Sequence, residues 1–352
     1  MKIAVVLLNY KDYAQRFLAP CLASLRALDS SLPFDLVIVD NASTPETAAY
    51  LRTQAPEARL LFNSGNDGFA KGNNDAMRLL LAENYDYILL LNMDASLASQ
   101  ALVELLKVAE ANPQAGAIQA RLMLDPDREL INSLGNVTHF LGFGYCRAYR
   151  QKFSDYGSKA EPIAYPSGAC VLLRVAALRE VGLFDEEFWM YNEDQDLGWR
   201  LWLASWQCLL APRAVAYHQY EFSRSVSKYY WMERNRLIVI WKNYSLLSLI
   251  LFFPALLVME LGMAFFSRRS AWFPEKKKAW AYFFQARHWS YLRQARHQAQ
   301  SLRRLPDYKI LPLFSGKIWY QEIDHPLLKY VANPVFSAYF FLARFFIRAF
   351  KQ

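Results

Sequence analysis

Residues 85–97, YDYILLLNMDASL, carry the most information about the fold. From Tyr87 to Leu91 every side chain is apolar, the mark of a strand buried on both faces. The run then ends in Asn92, Met93 and Asp94. In open α/β sheets ligands bind outside the carboxyl ends of the strands. A carboxamide and a carboxylate two residues apart at such an end call for a cation, a donor or a substrate.

The segments upstream repeat the pattern. KIAVVLLN (2–9), FDLVIVD (34–40) and ARLLFN (58–63) are strand-like. AQRFLAPCLASLRAL (14–28) and NNDAMRLLLAEN (73–84) have helical spacing. Strands alternating with helices predict a mostly parallel sheet with right-handed crossovers. Beyond Ala120 the pattern loosens into loops and short strands, then tightens into a helix-like EDQDLGWRLWLASW (193–206). The 352 residues allow one large domain with an appendage, or two domains. Pattern and composition divide the chain into residues 1–243, with parts 1–120 and 121–243, and a helical region over 244–352.

With 54% apolar and 20% charged residues, disorder is not expected. Cys21, Cys146, Cys170 and Cys208 lie far apart without a Cys-x-x-Cys pair, which disfavours a zinc module or a disulfide framework. The six-residue apolar run before Asn9 is too short for a signal peptide and reads as a first strand, which implies a reducing, cytoplasmic location. The net charge of +8 is unevenly spread. Residues 1–220 hold 19 basic against 25 acidic side chains (−6), and residues 221–352 hold 21 against 7 (+14). The two parts meet different partners.

Several strand ends carry polar side chains: Asn9 after the first, Asp40 after the second, Asn92 and Asp94 after the fourth. An acid at the second strand end reads equally as a ribose or base ligand and as a helix N-cap. No G-x-G-x-x-G follows the first strand, so a dinucleotide fold is disfavoured. NSGNDGFAKGNNDAM (63–77) sets three glycines among asparagines and aspartates before a helix. Glycine permits close backbone approach, and free N–H groups at a helix start favour a diphosphate. In DEEFWMYNEDQD (185–196) the acids Glu193, Asp194 and Asp196 follow Phe188, Trp189, Met190 and Tyr191. They are either a solvated first turn favoured by the helix dipole or desolvated, mutually crowded acids of raised pKa. A raised pKa suits a general base.

VVLLNY, VIVDNAS, NDGFAKGNN, LLLNMD, PSGACVLLR, VGLFDEEFWMYNEDQDLGWR and His218 occur in the order seen in family 2 glycosyltransferases. Over residues 2–245 the chain resembles the bacterial rhamnosyltransferase-like members. The resemblance implies a GT-A catalytic domain, Rossmann-like with a mostly parallel central sheet, followed by a C-terminal helical membrane-associating region. It also implies inverting, single-displacement transfer of a sugar such as rhamnose from a dTDP- or UDP-sugar to a lipid-linked or polysaccharide acceptor. In that family the fourth strand ends in an Asp-x-Asp-type motif that holds a divalent metal on the diphosphate. Here Asn92 stands first and Asp94 second, so Asp94 would bind Mg²⁺ or Mn²⁺, with Asn92 a weaker ligand or sugar contact. His218 would complete the metal shell. Asn9 and Asp40 would lie at the nucleotide, and Asn66, Gly68 and Asn73 would line its pocket. Asp194 would be the general base, with Glu193 as the second choice. A nucleotidyltransferase, for which Lys71 is the chief basic candidate, and a degenerate membrane-bound scaffold for other transferases are the rival readings.

Residues 245–266, SLLSLILFFPALLVMELGMAFF, are long enough to span a bilayer but carry Pro254 and Glu260 and have basic flanks on both sides. In the tail NPVFSAYFFLARFFIRAF (333–350), Arg344 and Arg348 fall on one helical face, as in a helix lying in the interface. An anionic membrane surface on the cytoplasmic side is therefore the expected partner, ahead of nucleic acid. A buried helical core or a homo-oligomer interface is the alternative.

Overall fold

The structure is a computed structural model that describes residues 1–29, 32–220, 227–319 and 326–350. The chain divides into two compact units. The first comprises Met1–Asn136, Cys146–Leu201 and Trp206–Glu221; the second comprises Val137–Tyr145, Trp202–Ser205 and Phe222–Gln352.

In chain order the strands are β1 (Ile3–Tyr10), β2 (Asp35–Asn41), β3 (Arg59–Asn63), β4 (Tyr87–Asn92), β5 (Ala95–Leu97), β6 (Ala115–Leu124), β7 (Ile131–Ser133), β8 (Asn136–Thr138), β9 (Gly144–Cys146), β10 (Glu161–Pro162), β11 (Cys170–Arg174) and β12 (Gln207–His218). The helices of the first unit are α1 (Ala19–Arg26), α2 (Pro45–Gln54), α3 (Gly68–Leu81), α4 (Ala101–Ala111), α5 (Val175–Val181) and the start of α6 (Glu193–Leu203). Among the described residues they surround a ten-stranded sheet of order β10-β12-β6-β11-β4-β1-β2-β3, with β5 paired to β12 and β7 to β6.

The expected parallel sheet occupies one side: β1 pairs parallel with β2 and β4, and β2 with β3. Beyond β4 the sheet is mixed. β11 runs antiparallel between β4 and β6, and β6 pairs parallel with β12. The apolar runs at Ile3–Leu7 and Tyr87–Leu91 are fully buried, as expected of strands covered on both faces. One face, carrying Leu89, Leu91, Ile118, Leu122 and Leu172, packs with Leu22 and Leu25 of α1 and Leu102 and Leu105 of α4 in a single hydrophobic cluster.

The second unit carries α7 (Lys228–Asn243), α8 (Leu246–Arg269), α9 (Phe273–Phe284), α10 (Ala286–Ser301), α11 (Asp307–Ile310) and α12 (Asn333–Ala349). Ser245 caps α8 by accepting from the Ser248 N–H at 3.3 Å. The helix runs unbroken through Pro254 for 24 residues, about 36 Å at 1.5 Å per residue. Its one acidic side chain is paired within the unit. Glu260 takes Lys276 Nζ at 2.7 Å and Trp280 Nε1 at 2.6 Å, and also pairs with Arg236, which bonds Glu233 at 2.9 Å. A buried charge is tolerable only when paired in this way.

Tyr339 of α12 donates to the Leu251 carbonyl of α8 at 2.6 Å, and Phe340 packs against Phe252 and Phe140. Their outer faces stay bare. Leu246, Ile250, Phe253, Leu257 and Leu261 on α8 are exposed at helical spacing, as are Val335, Leu342 and Phe345 on α12. Both α8 and residues 328–349 are long and apolar enough to cross a membrane.

Candidate active site

All sequence-predicted site residues lie in the first unit, and most lie at the carboxyl edge of its parallel strands. β5, directly after Asp94, pairs antiparallel with the end of β12, matching Ala95 with His218. That register brings His218 Nε2 to 3.2 Å from Asp94 Oδ1. His218 Nδ1 meets Asn132 Oδ1 on β7 at 2.9 Å. With its proton on Nδ1, donated to Asn132, the ring turns the Nε2 lone pair toward Asp94, the arrangement common for a metal-binding imidazole. Two adjacent ligands of a six-coordinate ion with bonds of ~2.1 Å stand ~3 Å apart, so the pair fits a shared divalent cation. Among the described residues no group of three or more His, Cys, Asp or Glu side chains converges. Such an ion would draw its remaining ligands from water and a diphosphate.

Asn9 and Asp40 meet as well, although differently from expectation. Asn9 Nδ2 donates to Asp40 Oδ1 at 2.7 Å, Thr47 Oγ1 donates to Asp40 Oδ2 at 2.8 Å, and the Ala14 N–H donates to Asn9 Oδ1 at 2.7 Å. Asn9 and Asp40 are both fully buried. In this structure the pair fastens β1 to β2 and to the first turn of α2, where Thr47 also closes a capping box with Thr44.

The glycine-rich loop is clamped by Trp189. Gly68 has φ +80°, and a Cβ there would stand 2.4 Å from the Trp189 carbonyl oxygen and 2.6 Å from its ring. Only glycine fits. The Ala70 N–H donates to that carbonyl at 3.1 Å, and the indole Nε1 donates to the Asn66 carbonyl at 3.4 Å. Trp189, Tyr191 and Asn192 all have φ between 60° and 70°, a conformation costly for residues with side chains and typical of functional sites. Asn74 reinforces the contact through Phe184, donating to its carbonyl at 2.8 Å and accepting from its N–H at 3.1 Å. Asn73 is buried and bonds back to the Phe69 carbonyl within its own helix. Lys71 is held by Asp67 at 2.7 Å and Asp75 at 3.1 Å, which engages the cation a nucleotidyltransferase would need.

The Trp189 corner delivers the acids at the start of α6. Asp196 is a structural group, fully buried against Arg200 at 2.8 Å. Glu193 is buried, and desolvation together with the neighbouring Asp194 raises its pKa well above the ordinary carboxylate value. Asp194 is partly accessible; desolvation pushes its pKa up to about 6 against the pull of backbone N–H bonds. Its carboxylate accepts from the Gln195 N–H at 2.8 Å and the Gly168 N–H at 3.4 Å. The next residue, Ala169, accepts from the Asn92 N–H at 2.9 Å. The 167–169 loop thus ties the crowded acids to the end of β4.

Thr47, Asn74, Asn132, Gly168 and Trp189 were not singled out as functional from sequence. Asn74, Asn132, Gly168 and Trp189 act through partners far away in the chain, whereas Thr47 acts on Asp40 and Thr44 close by. A cavity of about 450 Å³ lined by Tyr85, Asp86, Glu110, Arg174 and Arg179 lies at the opposite end of β4, away from all of these groups.

The first unit thus combines a mixed α/β sheet, a polar carboxyl edge and a pair of desolvated acids. Residues 3–182 match the model of glycosyl transferase family 2, about half of the chain, and the chain belongs to that family of enzymes. It is 29% identical over 239 residues to an N-acetylglucosaminyl-diphospho-decaprenol L-rhamnosyltransferase of Mycobacterium tuberculosis, covering 61% of this chain and 75% of that one. It is 23% identical over 203 residues to a low-salt glycan biosynthesis hexosyltransferase of Haloferax volcanii, covering 56% and 61%. In fold it resembles GalNAc-T7, solved with UDP, GalNAc and Mn²⁺, with a TM-score of 0.54 and 12% identity over 68% of this chain and 47% of that one.

Proposed function

We propose that the chain is an inverting glycosyltransferase that moves a sugar, rhamnose by analogy with the mycobacterial relative, from a nucleoside diphosphate to a diphosphate-linked lipid saccharide. One observation carries the reading: Asp194, with its raised pKa, is tied through Gly168 and Ala169 to the strand end that bears Asn92 and Asp94. A carboxylate near neutrality in its affinity for protons can take one from a sugar hydroxyl. Its accessibility favours it over buried Glu193.

Asp94 and His218 are the residues that would hold a divalent cation, which supplies neutralisation of the departing diphosphate. The backbone around Gly68, clamped by Trp189, offers N–H groups to the donor. The Asn9–Asp40 pair keeps the nucleotide edge in register, with Asn66, Asn73 and Asn92 as donor contacts. Lys71's engagement with two carboxylates disfavours nucleotidyl transfer.

The bare apolar faces of α8 and α12 suit an in-plane seat in a membrane, where a lipid-linked acceptor is presented, on the cytoplasmic side in this proposal. Transfer assays with dTDP- and UDP-sugars and a short-chain diphosphate-linked acceptor, with and without Mn²⁺, test the function. Product from at least one donor is expected; none from any donor in the folded protein contradicts it and favours the scaffold.

A further inference from the structure

Arg121 lies on β6, opposite Val215 of β12. Its guanidinium stacks on the Phe153 ring at 3.6 Å, and its Nε is buried without a hydrogen-bond partner. Most cations around the site are engaged: Lys71 with Asp67 and Asp75, Arg128 with Asp125, Arg147 with Glu161, Arg200 with Asp196. Among the described residues Arg121 makes no ion pair at all. Burial pulls its pKa below the ordinary value, as expected where no carboxylate compensates the charge.

The sheet register fixes its place. Gln119 pairs with Val171 of β11, and Leu91 of β4 pairs with Cys170. Two residues further along β6, Arg121 is level with Ala169, whose carbonyl accepts from the Asn92 N–H. Arg121 therefore stands two strand spacings from Asn92, about 10 Å across the carboxyl edge. Residues two apart share a sheet face. Gln119, on the face of Arg121, accepts from the Ser167 N–H at 2.7 Å, next to the Gly168 N–H that bonds Asp194. Arg121 thus shares a sheet face with Gln119, which holds the loop bonded to Asp194.

Resting on the glycosyltransferase reading above, we infer that Arg121 binds a phosphate oxygen of the acceptor's diphosphate and so sets the distance of the acceptor hydroxyl from Asp194. A planar guanidinium already fixed by stacking on an aromatic ring is suited to a phosphate, and it loses little freedom on binding. The same chemistry could instead serve the donor diphosphate, so the test separates the two.

Full-length wild type, Arg121→Gln, Arg121→Lys and Phe153→Ala are titrated with three probes: an N-acetylglucosaminyl diphosphate on a short prenyl chain, the neutral octyl N-acetylglucosaminide, and a nucleoside diphosphate sugar. Wild type should bind the diphosphate probe at least tenfold more tightly than the neutral glycoside. Arg121→Gln should erase that preference, Arg121→Lys should keep part of it, and Phe153→Ala should weaken it, all with donor affinity unchanged. Equal wild-type affinity for the two acceptor probes, or a preference that survives Arg121→Gln, overturns the inference. Loss of donor affinity in Arg121→Gln would assign the residue to the donor and overturn it too. These are binding readouts, so a failure of the glycosyltransferase reading would show separately, as absence of transfer by wild type.

Discussion

Asp94 and His218 stand 3.2 Å apart, the first just past the end of β4 and the second closing β12. Their meeting depends on the short strand β5, which pairs with the end of β12. Asp94→Ala and His218→Ala should each abolish the Mn²⁺-dependent part of nucleoside diphosphate binding while leaving the melting temperature within a few degrees. Asn132→Ala, which frees the imidazole to rotate, should weaken the same binding by about tenfold. Isothermal titration with and without Mn²⁺ measures this; wild-type affinity in Asp94→Ala would remove the metal from the mechanism.

The raised pKa of Asp194 has two consequences of opposite sign. For catalysis, the base is active when ionised, so kcat/KM should climb with pH and level off above about 6. For stability, the folded state holds the proton more tightly than the unfolded chain. The ionised group therefore costs stability above pH 6, and the cost vanishes below the unfolded value near 4. Asp194→Asn should then be the more stable protein at pH 8, by up to about 3 kcal/mol less whatever solvent access screens. The difference should close by pH 4. Denaturant melts at the two pH values check the sign, and a variant less stable than wild type at pH 8 would refute it.

Gly68→Ala places a methyl group against the Trp189 carbonyl and ring at a positive φ. We expect a loss of about 2–4 kcal/mol from strain and forced displacement. Trp189→Ala should release the loop with a smaller stability loss but a marked rise in donor Kd. Thermal melts and donor titrations separate the two effects, and a Gly68→Ala protein as stable as wild type would refute the clamp.

For the helical unit, substituting Ile250, Phe253, Leu257 and Leu261 with serine should leave the fold intact, because these side chains touch solvent, yet abolish flotation with liposomes. Anionic vesicles should outcompete neutral ones for wild type, at about 1 kcal/mol per basic residue near the surface. Failure of wild type to float with either would favour a contact between copies of the chain. Glu260→Ala, by contrast, leaves Arg236 and Lys276 to share the one carboxylate of Glu233, so that a buried positive charge is uncompensated, and should cost about 3–5 kcal/mol.

Much of this was legible in the sequence. Continuous apolar runs marked β1, β2 and β4 because strands covered on both faces leave no polar positions, and their polar terminators marked the edge. The antiparallel insertion of β11 between β4 and β6 was not legible, because Cys170–Arg174 carries no local sign of its partners. Nor was the tie of Asp40 to Asn9, 31 residues away on the neighbouring strand. Glu260 counted against a span through the bilayer; its partners Arg236 and Lys276 lie 24 and 16 residues away, beyond any helical period. Local pattern reports burial, whereas pairing across the chain decides what a buried polar group touches.

The proposed reaction is a single displacement in which Asp194 activates the acceptor. It is tested most directly by incubating wild type and Asp194→Asn with donor and a diphosphate-linked acceptor, and reading the anomeric proton of the product by NMR. The expected product has an anomeric configuration opposite to that of the donor, with turnover reduced by at least a thousandfold in Asp194→Asn at unchanged donor affinity. Retention of configuration, or turnover in Asp194→Asn close to wild type, would contradict it.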